Sequence, residues 1–156
     1  MQLILLTALA ASLALSSLAW ADFTGNVVSV ADGDTITVLD ADKVQHKIRL
    51  AEIDAPEKAQ PFGNRSKQTL SALVYGKAVL IVDQGHDRYK RTIGRVYQGD
   101  VDVSAEQVKQ GMAWVYRKYS KDVTLPPLEY EAKAQRLGLW DDAEPVPPWV
   151  WRHSKH

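Results

Sequence analysis

The chain has 156 residues and a mass of 17.4 kDa, room for one domain with a core of its own and not for two. Its 19 basic and 19 acidic side chains cancel, which excludes a protein that holds nucleic acid by bulk charge; any phosphate recognition must be local. The absence of cysteine excludes a disulfide-stapled fold and any thiolate-held zinc or iron–sulfur centre, and an apolar fraction of 46% excludes a charge-driven disordered chain.

Residues Met1–Ala21 carry no charged side chain, and the run Leu3–Leu18 is broken only by Thr and Ser. The run ends on the small-x-small string Ala19-Trp20-Ala21, the pattern signal peptidase cuts. The expectation is a cleaved secretory leader over 1–21 and an exported protein, periplasmic or secreted, formed by residues 22–156. A membrane anchor is the alternative, but the run is short for a spanning helix and lacks a basic stop signal.

From Asp22 to about Asp54 the pattern is β. Gly25–Val30 is a strand, Thr35–Leu39 alternates with period two, and Asp-Gly at 32–33 marks the turn between them. In Val44–Leu50 the residues Val44, His46, Ile48 and Leu50 share one face, and Gln45, Lys47 and Arg49 the other, so Arg49 need not be buried for packing. A helix is expected from about Asn64 to Tyr75, with Gly76 just past its end. Ala78–Val82 and Arg91–Tyr97 read as strands. Ser104-Ala105-Glu106-Gln107 reads as a capping box for a second helix, with Val103 and Val108 as its staple. A third helix should start after Pro126-Pro127 and run to Gly138. The Pro- and Trp-rich tail from about residue 143 should be non-helical and pack its indoles back on the domain. Five strands with a helix after the third suit an α+β fold, a five-stranded OB-type Greek-key barrel with three helices.

Three clusters carry chemistry. Asp32-Gly33-Asp34-Thr35 puts two carboxylates in one turn, where they could face a hard cation; a plain polar turn uses the same residues. Arg49 to Glu57 joins a guanidinium to Glu52, Asp54 and Glu57 at a strand end, with Pro56 stiffening the exit; surface ion pairs would look alike. Asp87-Arg88-Tyr89-Lys90-Arg91 places three cations around a ring, suited to gripping phosphate and stacking on a base, or simply a charged loop. Tyr116–Lys121 interleaves bases and aromatics in a softer version of the same pattern.

Taken together, these strings resemble the thermonuclease family, the staphylococcal-nuclease-like endonucleases. Gln110–Tyr116, Gly138-Leu139-Trp140 and the Pro-Pro-Trp-x-Trp-Arg close at 147–152 extend the resemblance over nearly all of residues 22–156. The resemblance implies a Ca²⁺-dependent phosphodiesterase that cuts DNA and RNA, attacks the 5′ side of the phosphate and leaves 3′-phosphate ends. It implies Asp34, Asp54 and the Ala55 carbonyl as calcium ligands, and Arg49 and Arg91 on the scissile phosphate. Glu57 matches the glutamate assigned as general base, which here either takes the proton or positions the water. Arg88 and Tyr89 match substrate-phosphate contacts, and Tyr119 a nucleotide-stacking tyrosine. Arg117 falls where a second stacking aromatic would stand, with Tyr116 one residue away. Asp32 is expected to support the turn behind the metal carboxylates, and Glu52 to form a surface pair or a site edge. The protein is expected to act as a monomer, off the membrane once its leader is gone. The rival readings are a non-catalytic OB module for single-stranded nucleic acid or another partner, and a structural calcium-binding protein; neither needs this full set of carboxylates and arginines.

Overall fold

A computed structural model describes residues 21–154; the expected leader lies outside the described residues except for Ala21. Alternation builds the barrel. Strand β1 (Phe23–Val30) buries Val27 and Val30, β2 (Thr35–Asp40) Ile36 and Val38, and β3 (Gln45–Leu50) Ile48 and Leu50. After the short β4 (Ile53–Asp54), helix α1 (Gly63–Val74) packs Leu70 and Val74 inward. Strands β5 (Ala78–His86) and β6 (Thr92–Gln98) add Val79, Ile81 and Val96. The hydrogen-bonded order is β3-β2-β1-β5-β6, and a parallel pairing of β3 with β6 closes the ring. Gly94 permits that closure, since a Cβ there would lie 2.8 Å from Ile81 Cγ2. The expected OB-type barrel of five strands is present.

The remaining elements brace one end of it. β7 (Val101–Asp102) folds back to pair antiparallel with the end of β6 and leads into α2 (Val103–Lys109). β8 (Trp114–Val115) pairs with β4. Helix α3 (Leu125–Ala134) and a 3₁₀ turn (Gly138–Asp141) precede a single-turn helix, α4 (Pro148–Trp151). Among the described residues no helix is long and apolar enough to cross a membrane.

Several expectations are corrected. The cap of α2 is Asp102, whose carboxylate accepts the Ala105 N–H at 3.0 Å. Ser104 is buried and donates its hydroxyl to the Ala51 carbonyl at 3.0 Å, so the capping-box string is a packing contact here. Pro126 and Pro127 lie inside the first turn of α3, where their missing N–H groups have no partner to lose; the helix ends at Ala134, short of Gly138. Strand β5, expected to end at Val82, runs on to His86 through a bulge after Asp83. The tail does form one helical turn, because Pro148 stands at its first position.

Gly33 shows how tightly the β1–β2 turn is held. Its carbonyl accepts a hydrogen bond from the buried Gln107 amide at 2.7 Å, and a Cβ on it would lie 1.8 Å from Ser66 Oγ and 2.7 Å from Ala55 Cβ. Gly33→Ala must therefore push α1 or the Ala55 loop away. We expect it to cost about 1–3 kcal/mol, the range for overpacking, read from chemical denaturation; an unchanged midpoint would contradict this packing.

Candidate active site

The barrel register assembles the site. Pairing of β2 with β3 puts Arg49 opposite Thr35, the neighbour of Asp34, and the Leu50 N–H donates to the Asp34 carbonyl at 2.8 Å. The β3–β6 pairing brings the start of β6, and with it Arg91, to the same end. The turn after β3 sends Asp54 back beneath Arg49. Arg49 Nη2 lies 3.0 Å from Asp54 Oδ1 and 3.2 Å from Asp34 Oδ2. Its Nη1 donates to the Leu50 and Ile53 carbonyls at 2.7 and 2.8 Å. Far from being a solvated residue of a polar strand face, Arg49 is largely buried and directs both terminal nitrogens at the protein.

The two aspartates are nearly out of water, 5% exposed for Asp34 and 1% for Asp54. Asp34 Oδ2 accepts the Ala55 N–H at 2.6 Å, and Oδ1 accepts the Thr35 hydroxyl at 3.2 Å. Burial pushes the Asp34 carboxyl up to about 7; Arg49 pulls against this, Asp32 and Asp54 add to it, and the Ala55 N–H opposes it. Asp32 does what a turn residue does: its Oδ1 accepts the Asp34 N–H at 3.0 Å. Ala55 is buried beside Asp34.

Glu57 stands on the rim, its carboxylate 39% exposed. Its N–H donates to Gln60 Oε1 at 3.0 Å, and Gln60 Nε2 donates to the Val146 carbonyl at 2.6 Å, tying the Glu57 loop to the tail. Gly63 allows the turn after Glu57, since a Cβ there would lie 2.0 Å from the Glu57 carbonyl oxygen. Arg91 donates from Nε to Asp87 at 2.7 Å and reaches the Thr35 hydroxyl at 3.4 Å, one hydroxyl away from Asp34. Arg88 lies over the Tyr89 ring and donates to its hydroxyl at 2.8 Å; Tyr89 is 64% exposed.

Tyr119 sits on a separate loop. Its ring meets Tyr116 edge-on at 4.8 Å and the Lys118 ammonium at 5.3 Å, and has no contact of this kind with the carboxylates among the described residues. Glu52 pins that loop. In a left-handed turn conformation (φ 70°), its carboxylate accepts the Lys121 and Asp122 N–H groups at 3.3 and 3.1 Å and pairs with Arg95. Arg117 is turned away into an ion pair with the buried Glu129 at 2.7 Å, and Tyr116 stacks on Trp149.

Sequence reasoning gave no role to three residues. Thr35 links Asp34 to Arg91, and Gln60 links Glu57 to the tail. Arg152 reaches into the site from the far end of the chain, donating from Nη2 to Asp54 Oδ2 at 2.8 Å and from Nη1 to Glu57 Oε1 at 2.7 Å. Asp54 holds that guanidinium charged, well above its ordinary range. Nothing local to Arg152 signals this; the Pro-Pro-Trp-x-Trp-Arg string is the only pointer.

An OB-type barrel with buried carboxylates and arginines clustered at one end defines the class of protein. The chain belongs to the family described as Staphylococcal nuclease homologue, which it matches over residues 47–142. That span includes Arg49, Asp54, Glu57 and Arg91, and leaves out Asp34 and Arg152. A protein of Escherichia coli O157:H7 named uncharacterized endonuclease is 50% identical over 136 residues, 86% of this chain and 88% of its own length. One of the same name from Haemophilus influenzae is 48% identical over 132 residues, 85% and 74% of the two chains. A micrococcal nuclease of Shigella flexneri is 44% identical over 147 residues, 87% and 84%.

The elevated Asp34 carboxyl gives a pH signature. Its folded value of about 7 lies above the ordinary 3.8, so the stability it contributes is complete below about pH 4 and lost as pH rises through about 7. Asp122, held down to about 2 chiefly by the Thr124 hydroxyl, works the other way and only at lower pH. Chelator-treated protein should therefore lose melting temperature as pH rises between about 4 and 7, and Asp34→Asn should flatten that loss. A variant with an unchanged slope would show that Asp34 is not the group that titrates across that range.

Proposed function

We propose that the chain is a calcium-dependent endonuclease that hydrolyses phosphodiester bonds of DNA and RNA and leaves 3′-phosphate ends. The observation that carries this reading is the pair of buried aspartates gathered on one guanidinium, with Glu57 and Arg91 on the rim above them. Its support also comes from family membership and from relatives named endonuclease and micrococcal nuclease. With residues 1–21 removed as a leader, the enzyme would work outside the cytoplasm.

The donor set fits a hard divalent cation. It consists of oxygens only: two buried carboxylates meet at one guanidinium nitrogen, and water would complete the shell. Among the described residues no group of three or more His, Cys, Asp or Glu is placed to hold a metal ion. Asp34, Asp54 and the Ala55 carbonyl would hold the ion, which supplies charge neutralisation at a non-bridging phosphate oxygen and orders water. Glu57, exposed and acceptor-only when ionised, takes the proton of the water that attacks phosphorus. Arg91 is half-free on the rim and stabilises the charge that builds on the phosphate oxygens. Arg49 fixes the two aspartates and carries positive charge to the floor of the site. Arg88 and Tyr89 bind neighbouring phosphates, and Tyr119 offers a face for a base.

Folded protein incubated with heat-denatured DNA should cleave it in calcium and stop in EGTA, with 3′-phosphate ends. Glu57→Gln should lose about 100-fold or more in rate, the usual contribution of a general base. Intact DNA in calcium would replace this reading with a single-strand binding module, for which a labelled strand is the probe. Arg49→Lys should lose about 100- to 1,000-fold although charge is kept, because a lysine cannot reproduce the fork. It should also lower stability, since the two buried aspartates lose their shared partner. Turnover near that of the parent would remove Arg49 from the site.

A further inference from the structure

We propose that Arg152 is a tethered competitor of the cation for Asp54, and so sets the affinity of the site. This rests on the reading of Asp34 and Asp54 as cation ligands.

The lone pairs of Asp54 carry the argument. A carboxylate offers about four acceptor positions. Asp54 Oδ1 accepts from Arg49 Nη2 at 3.0 Å and Arg152 Nη1 at 3.2 Å, and Oδ2 accepts from Arg152 Nη2 at 2.8 Å. Arg152 thus grips both oxygens as a fork, with Nη1 shared with Glu57. Asp34 differs: its Oδ1 accepts only the neighbouring Thr35 hydroxyl at 3.2 Å among the described residues. Asp34 Oδ2 is taken by the Ala55 N–H and Arg49, so a cation entering between the two aspartates finds Asp34 Oδ1 lightly held and both Asp54 oxygens engaged. A divalent charge and a guanidinium on the same carboxylate repel one another strongly at such range.

The tail is built to deliver this guanidinium. Gln60 holds the Val146 carbonyl, Pro148 is buried, and Trp151 lines a small cavity with Pro56, Pro61 and Phe62. Trp149 stacks on Tyr116 at 5.3 Å with its plane 4° off parallel, and meets Trp114 edge-on at 5.7 Å. These contacts keep Arg152 at high local concentration beside Asp54. They do not depend on its side chain, which is 38% exposed and can swing to solvent while the tail stays docked. The same swing frees Glu57, so cation entry and release of the proton acceptor are one event.

The test is calcium titration of the purified, chelator-treated protein by calorimetry, with Arg152→Gln, Trp149→Ala and Asp54→Asn beside it. Near-ultraviolet circular dichroism checks that each is folded. Arg152→Gln should bind calcium about tenfold or more tighter, because a unit charge leaves the ligand. Trp149→Ala, which loosens the tail without touching a carboxylate, should shift affinity the same way by less. Equal or weaker binding by Arg152→Gln, with Asp54→Asn still abolishing binding, would overturn the competition and leave the cation site standing. Binding by Asp54→Asn equal to that of the parent would overturn the ligand assignment itself, and the competition with it.

Discussion

Two aspartates almost without water, joined through one arginine nitrogen, are the constraint on which this molecule turns. Taking a carboxylate out of water costs several kcal/mol even after relaxation, and Asp34 and Asp54 both meet that cost. The barrel makes it tolerable. The register of β2 on β3 sets Arg49 beside Asp34, the turn after β3 brings Asp54 under the same guanidinium, and the Ala55 N–H closes on Asp34 at 2.6 Å. None of these partners is adjustable, because each is backbone or a side chain fixed by a barrel strand. A more stable protein would carry apolar residues there. The retained acids make sense as groups waiting for a charge from outside.

Around this rigid floor the rim is assembled from pieces distant in sequence. Glu57 is fixed by Gln60, which reaches the tail; Arg91 is fixed by Asp87; the loop bearing Tyr119 is fixed by Glu52. Each rim group is held through a few polar contacts and keeps solvent access, so it can reorient when an anionic polymer arrives. Under the proposed function, rigid carboxylates below and adjustable contacts above suit a site that would bind a cation and release cleaved strands.

Much of this was legible in the sequence, and the reasons are local. Strand alternation in Thr35–Leu39 and the Asp-Gly turn report on near neighbours, so β1 to β3 and the position of Asp34 could be read directly. The grouping of Arg49 with Asp54 and Glu57 was legible because a single turn holds them. Contacts across the fold left weaker traces. Ser104 looks like a cap, but the buried face of α2 claims its hydroxyl for Ala51 and leaves capping to Asp102. Arg49 alternates with apolar residues as a solvent-facing residue would, yet the chain returns over it and buries it. Arg152 was invisible as a site residue because 98 positions separate it from Asp54 and its delivery depends on the seating of Trp149. The rule that prolines prevent a helix failed at Pro148 because the first helical turn needs no N–H there.

The most direct measurement is a crystal structure of the protein grown with calcium, with the ion located by its anomalous scattering. One peak bonded to both Asp34 and Asp54, with the Arg152 guanidinium swung off Asp54, is the expected result. A calcium ion found elsewhere, in crystals of protein that cleaves DNA only when calcium is present, would contradict the assignment of the aspartate pair as the catalytic metal site.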